Sequence, residues 1–201
     1  MKKILLIGAG GHCVSSIDVI EMERKFKIFG LIDNKKKSFP LKKYKIIGDD
    51  KKLKKLFKKI KFAHISTGQI KNLKIREKLF RKVSNYGFLF PSIISPLAYV
   101  SKYASIGKGT IVMHGAIINA GAKIGKNCII NSKCLIEHDV IIEDHCHIST
   151  RSTVNGRVII KKNSFIGSCS VIQQNLKIGK NCFVNANLFL QKDLKDNSKF
   201  L

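Results

Sequence analysis

Residues 100–190 carry a branched apolar side chain at every sixth position. The sixteen members of this column are Val100, Ile106, Val112, Ile118, Ile124, Ile130, Ile136, Ile142, Ile148, Val154, Ile160, Ile166, Ile172, Ile178, Val184 and Leu190. A period of six fits neither an α-helix nor a strand that alternates between two faces. It predicts a parallel β-helix, in which each hexad forms one short strand and one corner and three hexads close a coil. Stacked coils then bury a continuous apolar column that no single repeat could bury alone.

A second column, two residues before the first, holds small side chains. Its members are Ala104, Thr110, Ala116, Ala122, Cys128, Cys134, Cys146, Ser152, Ser164, Ser170 and Cys182. Each hexad is therefore expected to turn one large and one small side chain inward. Four of the six cysteines fall in this column, where a free thiol acts as a compact hydrophobe. Without a CxxC pair or a framework spacing, the sequence favours reduced cysteines and predicts no metal site.

The first ninety residues alternate between strand and helix patterns. Strands are predicted over 3–8, 27–32 and 62–66, and helices over 11–25, from about residue 50, and over 73–86. This alternation is typical of a small parallel sheet covered on both faces. We therefore predict a Rossmann-like α/β domain over residues 1–92, followed by an all-β, left-handed parallel β-helix over residues 93–201.

The formal net charge of +25 raises the possibility of nucleic-acid binding. Residues 1–95 hold 24 lysine and arginine against 7 aspartate and glutamate, and residues 96–201 hold 14 against 6. Because both halves are basic and aromatic residues do not alternate with the cations, the pattern does not indicate a stacking platform. We expect no nucleic-acid partner, while the positive field would attract anionic substrates.

The chain shows no targeting or membrane-spanning segment by pattern. The apolar run after the first lysines ends at Gly8, too early for a signal peptide. No stretch approaches the roughly 20 apolar residues of a membrane span. A cytoplasmic location is expected.

The turn from Gly8 to His12 joins the first strand to the first helix, where α/β sheets commonly bind phosphates. The third glycine of a dinucleotide fingerprint is replaced by Cys13, so the turn favours a nucleotide-linked ligand over NAD. A tight turn without a ligand is the alternative. Asp33, at the end of the second strand, either accepts hydrogen bonds from a ribose or base or simply suits a turn.

A histidine at a corner of the β-helix is the candidate for chemistry. His138 follows the inward Ile136 by two residues, so its imidazole should face outward. The equivalent positions one coil away are Ala120 and Gly156, which leaves room for a ligand. Imidazoles take up protons near neutral pH and suit general base catalysis. His114, His145 and His147 occur at other hexads, spread too widely to predict a metal site.

The chain resembles the bacterial sugar acetyltransferases with a left-handed β-helix, which include sialic-acid O-acetyltransferases and N-acetyltransferases of UDP-4-amino sugars. The resemblance covers nearly the whole chain. It rests on residues 4–12, ending in Gly-Gly-His, on residues 31–33, and on the hexads containing Asn131 and residues 136–139.

This resemblance implies a trimer that uses acetyl-CoA, with active sites between adjacent β-helices. His138 would be the general base, oriented by Asp139 and Asn131. The remaining site residues fall into two groups. Those implied for acetyl-CoA are His147, Gly156 and Ser168, and those implied for the sugar nucleotide are Gly10, Gly11, His12, Asp33 and Gly68. Because neighbouring residues on a strand face opposite ways, Asp139 reaches His138 only if the corner breaks the alternation.

Some positions depart from the family pattern. Residues 66–71 lack the Gly-Asn-Asn that contacts the nucleotide in the amino-sugar enzymes, and Arg76 comes later than expected. Arg151 and Arg157 stand where small residues are expected beside the acetyl-CoA path. The sequence given ends at Leu201 without the usual Pro-Ala-Lys segment. These departures leave open the sugar, its nucleotide and the manner of coenzyme A binding.

The expected function is acetyl-CoA-dependent N-acetylation of an amino sugar carried on a nucleotide. O-acetylation of a sialic-type sugar and a non-catalytic trimeric binding module are the alternatives. Outward apolar residues are expected to pack between subunits. The candidates are Ile117, Ile129, Ile141 and Ile159.

Overall fold

The computed structural model describes residues 1–35, 39–70 and 72–201. Its first part is an α/β unit with four parallel strands in the order β3-β2-β1-β4. The elements are β1 (Lys2–Ile7), α1 (Gly11–Glu23), β2 (Phe26–Ile32), β3 (Ile46–Gly48), a 3-10 turn (Asp50–Lys52), α2 (Leu53–Phe57), β4 (Phe62–Ile65) and α3 (Ile75–Ser84). The predicted strands and helices are present, while the three-residue β3 was too short to show a pattern in the sequence.

Both faces of this sheet are buried, as the continuous apolar pattern of β1 predicted. Ile4 and Leu6 point to one face, where they pack with α1 and with the side of the β-helix. Leu5 and Ile7 point to the other face, where they pack against side chains of α2 and α3. The α/β unit therefore shares a hydrophobic core with the β-helix.

The β-helix has three faces, each a parallel sheet with one strand from every coil. The covered face comprises β5 (Ile93–Ile94), β8 (Ile111–Val112), β11 (Ile129–Ile130), β14 (His147–Ile148), β17 (Phe165–Ile166), β20 (Phe183–Val184) and β22 (Lys199–Phe200). The apolar face comprises β6 (Tyr99–Val100), β9 (Ile117–Ile118), β12 (Leu135–Ile136), β15 (Thr153–Val154), β18 (Val171–Ile172) and β21 (Phe189–Leu190). The mixed face comprises β7 (Ser105–Ile106), β10 (Lys123–Ile124), β13 (Ile141–Ile142), β16 (Ile159–Ile160) and β19 (Lys177–Ile178).

Paired residues in neighbouring coils are eighteen positions apart, for example Ile136 with Val154, which confirms that three hexads close a coil. The sixteen-residue column lies inside and packs as one core with the small residues of the second column. The left-handed parallel β-helix and the inward direction of both columns are thus confirmed. The division between residues 92 and 93 remains a prediction, and β5 begins at Ile93.

The corners from Gly109 to Asn187 carry one residue with positive φ in each hexad. Glycine and asparagine tolerate this left-handed conformation best, and they occupy most of these positions. The exceptions are Lys133, Asp139, His145, Arg151, Arg157 and Cys169. A side chain in this conformation costs roughly 1 kcal/mol of strain.

The α/β unit packs on the covered face, and this decides which outward residues are exposed. Ile129 was expected on an open surface, but it is fully buried beneath the α/β unit, so that expectation was wrong. Ile117 and Ile141 are exposed, as expected. The outward residues of the apolar face include Tyr99, Ile117 and Phe189, which are 60%, 42% and 54% exposed.

Candidate functional site

His138 and Asp139 form a hydrogen-bonded pair at the corner between the apolar and mixed faces. The distance from His138 Nδ1 to Asp139 Oδ2 is 3.0 Å. The contact is possible because Asp139 has φ of 60°, so the corner breaks the strand alternation that would separate the two side chains. A carboxylate only accepts hydrogen bonds, so Nδ1 carries the proton and Nε2 is left as an acceptor. Nε2 is thus the atom available to act as a base.

Two glycines in the adjacent coils make room for this pair. A Cβ on Gly156 would lie 2.6 Å from His138 Nε2, and a Cβ on Gly121 would lie 2.4 Å from Asp139 Oδ1. The sequence pointed to Gly156 as an open position, and the structure adds that the imidazole itself fills that space. Gly121 was missed, although it lies eighteen residues before Asp139 and the coil length would have identified it.

The pair opens into a surface cavity of about 350 Å³ lined by His138, Gly156, Arg157, Gln174 and Asn175. All of these residues lie at one corner on successive coils. Arg157 therefore lines the same cavity as the imidazole, and its cation is available to an anionic group of a ligand. The cavity offers a base, a cation and amide side chains to one bound molecule.

Asn131 and His147 lie on a different part of the β-helix from His138. His147, on β14 of the covered face, has Nδ1 2.8 Å from the main-chain oxygen of Gln69. Its Nε2 lies 3.3 Å from Asn131 Nδ2. Burial lowers the pKa of His147 to about 4, so the ring is neutral with its proton on Nδ1. Asn131 thus contacts His147, and no hydrogen bond joins it to His138 among the described residues.

The geometry of a three-sided prism separates these groups within one chain. The covered face carries the α/β unit and His147, whereas His138 lies at the corner between the other two faces. That corner is opposite the covered face. A site that combines His138 with Asn131 and His147 therefore requires a second copy of the chain.

The predicted substrate residues lie together at the carboxyl ends of the parallel strands. Gly10, Gly11, His12, Asp33 and Gly68 all line one cavity of about 570 Å³. Among the residues that the structure describes, a Cβ on Gly10 or Gly11 would meet no atom within 4 Å, and neither glycine has positive φ. Packing and backbone strain therefore do not explain these two glycines. Open space beside the first turn of α1 is the arrangement by which a backbone approaches a phosphate.

Asp33 has a structural role in this cavity. Its Oδ2 accepts a hydrogen bond from the Ala9 amide at 2.8 Å, and its Oδ1 accepts one from the Lys35 amide at 2.8 Å. The carboxylate thereby ties the glycine-rich turn to the end of β2.

A buried polar network joins the α/β unit to the β-helix. Arg76 donates to the main-chain oxygens of Ile65 and Thr67 at 2.6 Å, and its Nη2 is 2.9 Å from Asn127 Oδ1. Complete burial lowers the pKa of Arg76 to about 9. Gln69 Nε2 donates to the main-chain oxygen of His145 at 2.9 Å. Arg76, which comes later in the sequence than the family pattern predicts, therefore holds the 66–69 segment beside the cavity. Lys71, the last residue of the 66–71 segment that lacks the family motif, lies outside the described residues.

His12 and His64 lie near this cation. Burial, and then the charge of Arg76, lowers the pKa of both imidazoles, to about 3 for His64. His12 Nε2 and both His64 ring nitrogens are buried without a hydrogen-bond partner in the described part of the chain. His12 thus contributes a neutral ring to the cavity wall.

The other predicted positions are accounted for as follows. Ser168 Oγ lies 2.8 Å from Ser149 Oγ, at the corner between the covered and apolar faces. Arg151 is exposed at the same corner. His114, which lacks an acidic neighbour in sequence, gains one in space because its Nε2 lies 2.8 Å from Asp18 Oδ2 of α1. Among the described residues, no group of three His, Cys, Asp or Glu side chains is arranged to hold a metal, and none of the helices is long and apolar enough to cross a membrane.

Both parts of the chain match known protein families. Residues 3–83 match the PglD N-terminal domain. Residues 103–138 and 121–156 match the bacterial transferase hexapeptide (six repeats). One curated relative is UDP-N-acetylbacillosamine N-acetyltransferase from Bacillus subtilis, 32% identical over 116 residues. That match covers 56% of this chain and 52% of the relative, so it spans about half of the relative's length.

Solved structures match over almost the whole chain. A variant of perosamine N-acetyltransferase from Caulobacter crescentus, in complex with CoA and GDP-perosamine, has a TM-score of 0.93 at 26% identity and covers 99% of this chain and 93% of its own. The acetyltransferase domain of PglB from Neisseria gonorrhoeae, in complex with acetyl coenzyme A, has a TM-score of 0.91 at 26% identity, with 98% and 95% covered. The chain therefore combines a PglD-type N-terminal domain with bacterial transferase hexapeptide repeats, and it shares the left-handed β-helix fold of these sugar acetyltransferases.

Proposed function

We propose that this protein transfers the acetyl group of acetyl-CoA to the amino group of a sugar carried on a nucleoside diphosphate. The observation that carries the proposal is the His138–Asp139 pair, whose Nε2 acceptor faces a cavity beside Gly156. The relatives reported above are named as N-acetyltransferases of perosamine and of a bacillosamine sugar. Their names favour N-acetylation over O-acetylation of a sialic-type sugar.

His138 accepts the proton that the amine loses during transfer. The amine nitrogen attacks the thioester carbonyl carbon and a C–N bond forms. The C–S bond then breaks, and the imidazolium of His138 gives its proton to the sulfur, so coenzyme A leaves as the thiol. Asp139 holds the Nδ1 proton and stabilises the imidazolium while it exists. General base catalysis of this kind typically contributes about 10²- to 10⁴-fold to the rate. The Gly156 amide is the candidate donor to the developing oxyanion, a contact typically worth about 3 kcal/mol.

The nucleotide lies in the cavity at the first turn of α1. The main chain at Gly10 and Gly11 approaches the diphosphate, and the helix N-terminus favours its negative charge. Asp33 and Gly68 line the same cavity next to this turn, where they meet the ribose or base. His12 stays neutral beneath the turn because burial and Arg76 lower its pKa.

The active site is formed between copies of the chain. The nucleotide cavity lies on the α/β unit above the covered face, while His138 lies at the opposite corner. A trimer packed through the apolar faces brings His138 of one copy to Asn131 and His147 of another. In that arrangement His147 Nε2 and Ser168 lie along the path of acetyl-CoA. We place this assembly in the cytoplasm, where acetyl-CoA and sugar nucleotides are made.

Thiol release from acetyl-CoA tests the proposal. The acceptors are UDP- and GDP-linked 4-amino sugars, with free sialic-type sugars as the contrast, and the enzyme is compared with His138→Ala. Turnover on one amino sugar that falls by about 100-fold or more in the variant supports the reaction and the base together. Turnover only on a hydroxyl acceptor indicates O-acetylation. Absence of turnover, with coenzyme A and nucleotide still raising the melting temperature, indicates a binding module.

A further inference from the structure

The amino edge of the four-stranded sheet is strongly basic. We define the basic edge as residues 2–3, 21–27, 42–45 and 58–61, which lead into the four strands. These ranges hold eleven lysine and arginine residues against two glutamates, and all eleven cations are exposed. The described residues at the carboxyl edge, in ranges 8–12, 33–35, 49–52 and 66–70, hold three lysines and three aspartates. The cations are therefore concentrated at the edge that lies away from the nucleotide cavity.

Apolar side chains lie among these cations. A surface cavity of about 530 Å³ opens at the basic edge. Phe26, Ile28 and Tyr44 line it, and Lys27 and Lys45 are among its lysines. Phe29, which also lines the cavity, is 39% exposed, and Met22 of α1 is 40% exposed. Exposed aromatic and methionine side chains inside a lysine cluster are typical of surfaces that enter the headgroup region of a bilayer.

We propose that the basic edge binds the surface of a membrane containing anionic phospholipids. Lysines near such a surface each strengthen binding by about fivefold, and Phe29 and Met22 reach into the acyl boundary. The sheet is parallel, so its two edges face opposite ways. Binding through the amino edge leaves the nucleotide cavity at the carboxyl edge open to solvent.

Nucleic acid fits this surface less well. Base stacking needs free aromatic faces, but lysine ammonium groups cover them here. Lys3 Nζ lies 5.5 Å from the Phe29 ring centroid, and Lys61 Nζ lies 3.7 Å from that of Phe57. Arg24 is the single arginine of the basic edge, whereas arginine is the side chain that recognises bases and phosphates bidentately.

Vesicle co-sedimentation of the full chain tests the proposal. The vesicles are phosphatidylcholine alone and phosphatidylcholine with about 30 mol % phosphatidylglycerol, in about 0.1 M salt where charge attraction is still strong. The test variant replaces Lys3, Lys27 and Lys45 by glutamine. The matched control replaces three exposed β-helix lysines, Lys108, Lys126 and Lys162, by glutamine. Both triple variants lower the net charge equally, and their melting temperatures report that the fold is kept.

We expect wild type and control to bind the anionic vesicles but not phosphatidylcholine alone, and the test variant to bind about 100-fold more weakly. Phe29→Ser should also weaken binding at unchanged charge. Equal loss in both triple variants would show a diffuse charge effect and overturn the proposal, as would no binding to anionic vesicles. Binding of a single-stranded oligonucleotide that is stronger than vesicle binding and lost in the test variant would overturn it in favour of nucleic acid. The readout does not depend on acetyl transfer.

Discussion

Gly156→Ala should displace the His138 imidazole from its catalytic position while the protein remains folded. The added Cβ would lie 2.6 Å from Nε2, whereas ordinary contacts begin at 3.4 Å, so the ring must retreat by about 0.8 Å. An imidazole that is 56% exposed can move, and Gly156 does not have positive φ, so we expect a stability change of less than about 1 kcal/mol. A displacement of about 1 Å costs roughly 100-fold in rate when it misplaces a reacting group. We therefore expect kcat to fall by about 100-fold.

A double-mutant cycle separates this explanation from a general disturbance of the corner. In a His138→Ala background the imidazole is absent, so Gly156→Ala has nothing to displace and should lower kcat by less than about threefold further. Coenzyme A release gives kcat for all four proteins, and urea unfolding gives their stabilities. If the losses were additive, kcat of the double variant would be about 100-fold below that of His138→Ala. That result would refute the idea that Gly156 acts by leaving room for the imidazole in its active position.

Three further changes probe other parts of the molecule. Gly11→Val places a side chain in the open space of the cavity, where it would block the nucleotide. Calorimetry should therefore show at least about tenfold weaker binding of the nucleotide sugar, while the melting temperature stays within about 2 °C of wild type. Unchanged affinity would contradict binding of the nucleotide in this cavity. The pKa of His64 falls from 6.5 to about 3 and that of His147 to about 4 on burial, so the unfolded state binds the extra protons in acid. This contribution to the free energy of unfolding should be fully present above pH 6.5 and should fall by about 1.4 kcal/mol per pH unit for each ring between pH 6.5 and its folded-state pKa. His64→Leu should make the slope shallower by the amount that one ring contributes. An unchanged slope, measured by urea unfolding at a series of pH values, would contradict this prediction. Ile117→Glu puts a charge on the apolar face and should lower the mass seen by light scattering from that of a trimer towards one chain, whereas an unchanged mass would exclude this face.

The sequence alone determined the β-helix, because a period of six with a large and a small inward column is satisfied by one stacking geometry. The same period set the coil at eighteen residues, and this spacing alone places His138 beside Gly156. The same spacing places Gly121 one coil before Asp139. The role of this glycine depends on the left-handed conformation of Asp139, which directs the carboxylate towards it. Local pattern was sufficient for these features because each depends on residues one coil apart.

Only the tertiary structure decided which outer face the α/β unit covers. Hexad periodicity separates inward from outward side chains, but it is identical for all three faces. The docking of the α/β unit buried Ile129, brought His147 to Gln69 and joined Arg76 to Asn127. These contacts join residues more than fifty positions apart, and no periodic pattern in the sequence predicts them. The same docking placed the cavity beside Gly10 and Gly11 on the side of the chain that faces away from His138.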